Sequence, residues 1–234
     1  MARVQGGGVS ENRRVARTLV PRCACYGFRV GSAVSRLAWI NVALHVVAIA
    51  LAAIGMRPGT AIVPLAERIA YLSRAPAGWT LGWGSWMLCA LALVALFAAL
   101  AHRLDGPLVR LGLVLAGAGA AIDLLCDDLQ LAVLPEVARR GNDALFLTLE
   151  RAAGSGGTVV ANGLYTIAGL LVTLRLRREA GLSRVVWVGY GVFVSGMSMV
   201  AAGLAGEPRW VEWVTGPTIG LYCLWCLGLA TRRG

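Results

Sequence analysis

A chain of 234 residues that is 58% hydrophobic, with a mean hydropathy of +0.70, is too apolar for a soluble domain of that length. Its net charge of +10 rests on 22 basic residues, all arginine, which lie in the tails and between apolar runs, so no nucleic-acid partner is needed to explain it. The lack of lysine excludes a retinal Schiff base and any lysine nucleophile.

Six apolar segments, near 37–55, 80–101, 107–134, 157–174, 185–206 and 213–230, approach the roughly 20 residues needed to cross a ~30 Å hydrocarbon core. The runs are continuous rather than alternating, which favours helices over a barrel. The expected fold is an all-α membrane protein of about six transmembrane helices, with short amphipathic helices in the outer loops. Residues 1–32 read as a basic cytoplasmic tail and 33–231 as the transmembrane domain. Fifteen arginines fall on the side of the termini and seven on the other, so the positive-inside rule places both ends in the cytoplasm. The expected location is the cell inner (plasma) membrane. The tail lacks the apolar core of a cleavable signal, and the first span is expected to act as the targeting signal. Cys23 and Cys25 offer a weak lipidation signal, and Arg13-Arg14 superficially matches a twin-arginine signal.

In the first span Asn41 and His45 are four apart and share a helix face. A lone intramembrane histidine is read first as a hydrogen-bonded packing residue. The following loop holds a short helix after Pro64 with a mostly apolar face of Ile62, Leu65, Ala66, Ile69 and Leu72, expected to lie on the outer membrane surface. Trp79, Trp83 and Trp86 open the second span at the position of an aromatic belt, and Trp210 and Trp213 repeat the signal before the sixth.

The third span is the most informative. Asp123, Asp127 and Gln130 fall at i, i+4 and i+7 and share one face, while Asp128 points about 100° away. From a start at Pro107, Asp123 lies about 24 Å and Asp127 about 30 Å along the axis, in the outer half of the membrane. Carboxylates are costly there and mark function, unless arginines of the next loop neutralise them. That loop carries Arg139, Arg140 and Arg151, with Pro135 as a helix start, Asn142 or Asp143 as the cap of another, and Gly154–Gly157 expected to break the chain. Asn162 and Tyr165 follow in span four. Gly216 and Gly220, with Ser198, Ala202 and Gly206, are expected to pack spans five and six together.

Asp105-Gly106, Arg110, Gly119, Asp123 and Asp127 are similar to the D-G-x2-A-R-x8-G-x3-D-x3-D motif of the CDP-alcohol phosphatidyltransferases. The resemblance implies aspartates that bind divalent metal and activate an acceptor alcohol. Val109 replaces the motif alanine, and His102 stands where a further aspartate belongs. The family's spacer is a turn, whereas LGLVLAGA reads here as part of an apolar helix. Cys223-Leu-Trp-Cys226 resembles the CxxC of thiol oxidoreductases related to vitamin K epoxide reductase, but the outer loops supply no relay cysteine. Val194-Ser195-Gly196 resembles an intramembrane serine protease motif only in part, with Phe193 in a glycine's place and no histidine in the last span. Four N or S ligands for zinc cannot be assembled at sensible spacing, so no metal ligand is assigned, and no cofactor is indicated.

The leading expectation is an acid-lined, outward-facing cavity that binds or transports a small ligand, cation or proton. Its candidate ligands are Asp123, Asp127, Asp128, Gln130, His45, Asn41, Asn162 and Tyr165. A membrane-embedded enzyme using Asp123 or Asp127 on a lipid or isoprenoid-like substrate is the first alternative. An accessory or scaffold subunit with a membrane-protein partner is the second. The lipid bilayer is the one partner common to all three.

Overall fold

Each long apolar run forms a helix because a backbone crossing hydrocarbon must satisfy its own hydrogen bonds. The computed structural model describes residues 31–179 and 181–231. The expectations placed on the basic tail, including Cys23, Cys25 and Arg13-Arg14, lie outside these residues. The helices are α1 (Ser32–Leu51), α2 (Leu65–Leu72), α3 (Ala77–Arg103), α4 (Pro107–Asp128), α5 (Leu134–Arg139), α6 (Asp143–Ser155), α7 (Asn162–Leu176), α8 (Ser183–Leu204) and α9 (Pro208–Ala230). No strand forms among the described residues. Six helical stretches are long and apolar enough to cross a membrane, so this is an all-α, multi-pass membrane protein. Ile54, Val114, Leu125, Val194 and Leu224 face outward, an arrangement that water penalises and lipid accepts.

The six spans close a ring in chain order. Helix α1 packs on α3 and α9, and the contacts continue α3 on α4, α4 on α7, α7 on α8 and α8 on α9. Ser35 donates to the Ala230 carbonyl at 2.9 Å, tying the first span to the last. That end also gathers Arg103, Arg110, Arg175, Arg177, Arg178 and Arg184, and is called here the arginine-rich end. Its half of the bundle is filled by apolar side chains, among them Leu96, Phe97, Leu100, Val109, Val172 and Leu229. At the opposite end α2, α5 and α6 enclose a second apolar cluster around Met56, Leu72, Trp79, Leu134 and Phe146.

Several local expectations are corrected by this packing. Helix α2 turns part of its apolar face into the protein: Leu72 is fully buried, and Arg68, on the same face, forms a buried ion pair with Glu150 of α6. Gly154–Gly157 do not break the chain. Helix α6 runs through a π-helical turn at Gly156–Ala161 into α7, giving one helical stretch from Asp143 to Leu176. Gly156 is needed there for closeness, since a Cβ would collide with the Cys126 sulfur. Pro135 and Asn142 act as expected; Pro135 lies in the first turn of α5, and the Asn142 side chain accepts from the Leu145 amide at 3.0 Å.

Helices α8 and α9 pack together as expected, but not through Gly216 and Gly220, which have nothing near the place where a side chain would begin. The close approach is made instead by Gly189, Gly196 and Gly203 of α8. They recur every seven residues and receive Thr173, Thr166 and Val159, also seven apart in the antiparallel direction. Gly112 and Gly119 do the same on α4, where a Cβ would lie 3.2 and 3.1 Å from the Ala168 and Ala161 carbonyl oxygens. The stretch ending in α7 is held between these two surfaces.

Candidate functional site

Helix α4 carries its acids past the apolar half of the bundle and exposes one face to the interior there. Asp127 is 3% exposed and Gln130 8%, while Asp128 lies outside. The i, i+4, i+7 spacing therefore places Asp123, Asp127 and Gln130 as expected and separates Asp128 from them. Helix α4 passes into α5 through a π-helical turn at Leu129–Val133, and Gln130 sits in that turn. The Gln130 carbonyl accepts from the Trp79 indole N–H at 2.7 Å.

Across from α4, Tyr165 donates its hydroxyl to Asp123 Oδ2 at 3.2 Å. The π-helical turn at Gly156–Ala161 also faces Asp123; a Cβ on Gly157 would stand 3.6 Å from Asp123 Oδ1. The Asn162 amide is used within this turn, donating to the Gly157 carbonyl at 2.9 Å.

The arginines of the loop do not reach these acids. Arg139 and Arg140 pair with Glu136 at 2.6 and 2.8 Å, and Arg68 pairs with Glu150. Asp127 Oδ2 is fully buried and has no hydrogen-bond partner among the described residues. A buried, unpartnered carboxylate oxygen is among the most expensive polar groups a protein can hold.

Asn41 and His45 belong to a second polar centre. The Tyr222 hydroxyl donates to Asn41 Oδ1 at 2.9 Å, Asn41 Nδ2 donates to the Ala92 carbonyl at 2.9 Å, and His45 Nδ1 bonds the Asn41 carbonyl at 2.8 Å. His45 lies tilted against Tyr222 with ring centroids 4.9 Å apart and meets Trp86 edge-on at 6.1 Å. No hydrogen bond joins this centre to Asp123 or Asp127 among the described residues.

No family model matches this chain, and no curated protein or solved structure matches it. The motif shared with the phosphatidyltransferases is strung along one rod, because α4 is unbroken from Pro107 to Asp128. Arg110 and Asp123 are thereby about 20 Å apart along the axis. Arg110 is engaged with Asp105 at 2.7 Å, at the arginine-rich end.

The tryptophan stripe is also corrected. Trp79 is 2% exposed, the Trp83 indole N–H is buried without a partner, and Trp86 contacts His45. Leu81 and Leu88 take the outward face of α3 instead. Trp210 and Trp213 are exposed, as membrane anchors require. Two features were missed in the sequence: the Arg68–Glu150 pair and the seat of Cys126 against Gly156. Arg68 shares a face with Leu65 and Leu72 at i, i+3 and i+7, and Gly112, Gly119 and Cys126 recur every seven residues; both patterns are legible.

Proposed function

We propose that this protein binds, and in doing so can carry, a proton or small inorganic cation at Asp127, with Asp123 and Tyr165 beside it. The observation that carries this reading is the buried Asp127 oxygen with no donor. An ionised carboxylate so placed costs several kcal/mol unless a positive partner completes it, and no arginine among the described residues does. Near-complete burial favours a small species over an organic ligand, and the two surface cavities of about 380 Å³ are lined by neither Asp123 nor Asp127. The proposed setting is the cell inner membrane with both termini cytoplasmic, supported by the arginine distribution. Asp127 then belongs to the outer half of the membrane.

The test is cation and proton flux in proteoliposomes containing the full chain, alongside the infrared band of a protonated carboxylic acid. Asp127→Asn is expected to abolish flux and remove the band or the cation-dependent change, while the helical spectrum and monodispersity are kept. Tyr165→Phe is expected to leave partial activity. Wild-type flux in a folded Asp127→Asn protein would refute the reading and bring forward the accessory-subunit alternative.

A further inference from the structure

The arginine-rich end offers a site of different chemistry. We propose that the cavity at the α7–α8 turn holds the phosphate headgroup of an anionic phospholipid. The cavity measures about 380 Å³, within the ~300–1,000 Å³ range of ligand sites, and its lining includes Arg177, Ser183, Trp187 and Tyr190. Arg177 also borders a neighbouring cavity with Arg178, Leu108 and Leu174 on the α4 side. One guanidinium thus stands between two openings.

The local charge is unbalanced. Asp105 is engaged by Arg110 at 2.7 Å, and Glu179, which borders the cavity, is held by Arg175 at 2.5 Å. Arg177, Arg178 and Arg184 have no acidic partner among the described residues. Helix α8 begins at Ser183, and the amides ahead of the Val186-to-Leu182 bond lack helical partners. Arg177 and Ser183, the first residue of α8, therefore border one opening.

The surroundings select a lipid rather than a free phosphate. Trp187 is 73% exposed, where an interfacial aromatic belongs, and stands edge-on to Tyr190 at 5.8 Å, one turn further into the span. Leu108 and Leu174 supply an apolar wall on the other side of Arg177. A headgroup can sit on the arginines while its chains descend along that wall. Basic pockets between membrane helices bind acidic headgroups in this manner.

The experiment uses the full chain in nanodiscs of mixed phosphatidylglycerol and phosphatidylcholine, followed by native mass spectrometry. Wild type is expected to retain phosphatidylglycerol in preference to phosphatidylcholine, and excess inorganic phosphate is expected not to displace it. Arg177→Gln and Arg178→Gln should each weaken retention about fivefold. Arg139→Gln, at the opposite end, should not. All three positions are exposed, so folding is expected to survive and is checked by monodispersity. Equal retention of the two lipids overturns the proposal, as does displacement by inorganic phosphate. An equal loss in the Arg139→Gln control overturns it too.

Discussion

Asn41 is fully buried, yet its side chain is satisfied three times over. Nδ2 donates to the Leu37 and Ala92 carbonyls, both at 2.9 Å, and Oδ1 accepts from Tyr222 at 2.9 Å. Such a group ties α1, α3 and α9 together instead of awaiting a ligand. Tyr222→Phe keeps the ring against His45 and Trp225 but strands Asn41 Oδ1. The loss should be about 1–3 kcal/mol, toward the lower end in a membrane, measured by thermal unfolding in detergent. Asp127 is the opposite case, with an oxygen no donor reaches. At the arginine-rich end, the hydrogen bond from Arg110 holds the Asp105 carboxyl below its ordinary value of 3.8, aided by the same cation's charge. A depressed carboxyl stabilises the fold above its unfolded value, and that contribution is lost as pH falls through the folded one. Arg110→Gln should raise the Asp105 midpoint toward 3.8, readable in a pH titration of its carboxyl carbon by NMR.

Helix contacts in a membrane gain nothing from expelling water, so closeness and shape decide which faces meet. The glycines of α8 and α9 show the rule and its exceptions. At Gly196 a Cβ would collide with Thr166 Oγ1, whereas at Gly216 it would meet nothing within 4 Å. Gly196→Ala should destabilise by about 1–3 kcal/mol through overpacking. Gly216→Ala should be neutral or stabilising by up to about 1 kcal/mol, because alanine favours the helix. Thr166→Ala should relieve part of the Gly196→Ala loss. Unfolding curves for the three variants decide the matter. A loss at Gly216 equal to that at Gly196 would contradict the packing. The small-residue spacing near the end of the chain marks a face that could pack; only the assembled bundle tells that the α8 stripe is used and the α9 stripe is not.

At the scale of the molecule, six crossings in chain order return the last described helix to the side of the first. The turns at 104–106 and at 177–179 with 181–182 share that side, and those at 140–142 and 205–207 lie opposite. A reporter that is active only outside the cytoplasm should work when fused at Gly141 or Gly206 and fail at Gly106 or Gly181. The reverse pattern would invert the orientation read from the arginines. The ring also explains why Asp127 is buried: α2, α5 and α6 cover the end nearest to it with their own apolar cluster.

Helical class, the number of spans and the division of Asp127 from Asp128 were determined by the sequence alone, because each follows from a length or a period along one chain. The span ends shifted by a few residues where helices continue through π-helical turns that no local composition announces. Contacts between distant segments were decided only by tertiary structure. Trp79 and Trp83 turn inward, Arg68 finds Glu150, and Gly154–Gly157 draw chains together rather than breaking them. The physical reason is that a one-dimensional pattern specifies which faces a helix offers, while the partner of each face depends on which neighbours the closed ring brings against it.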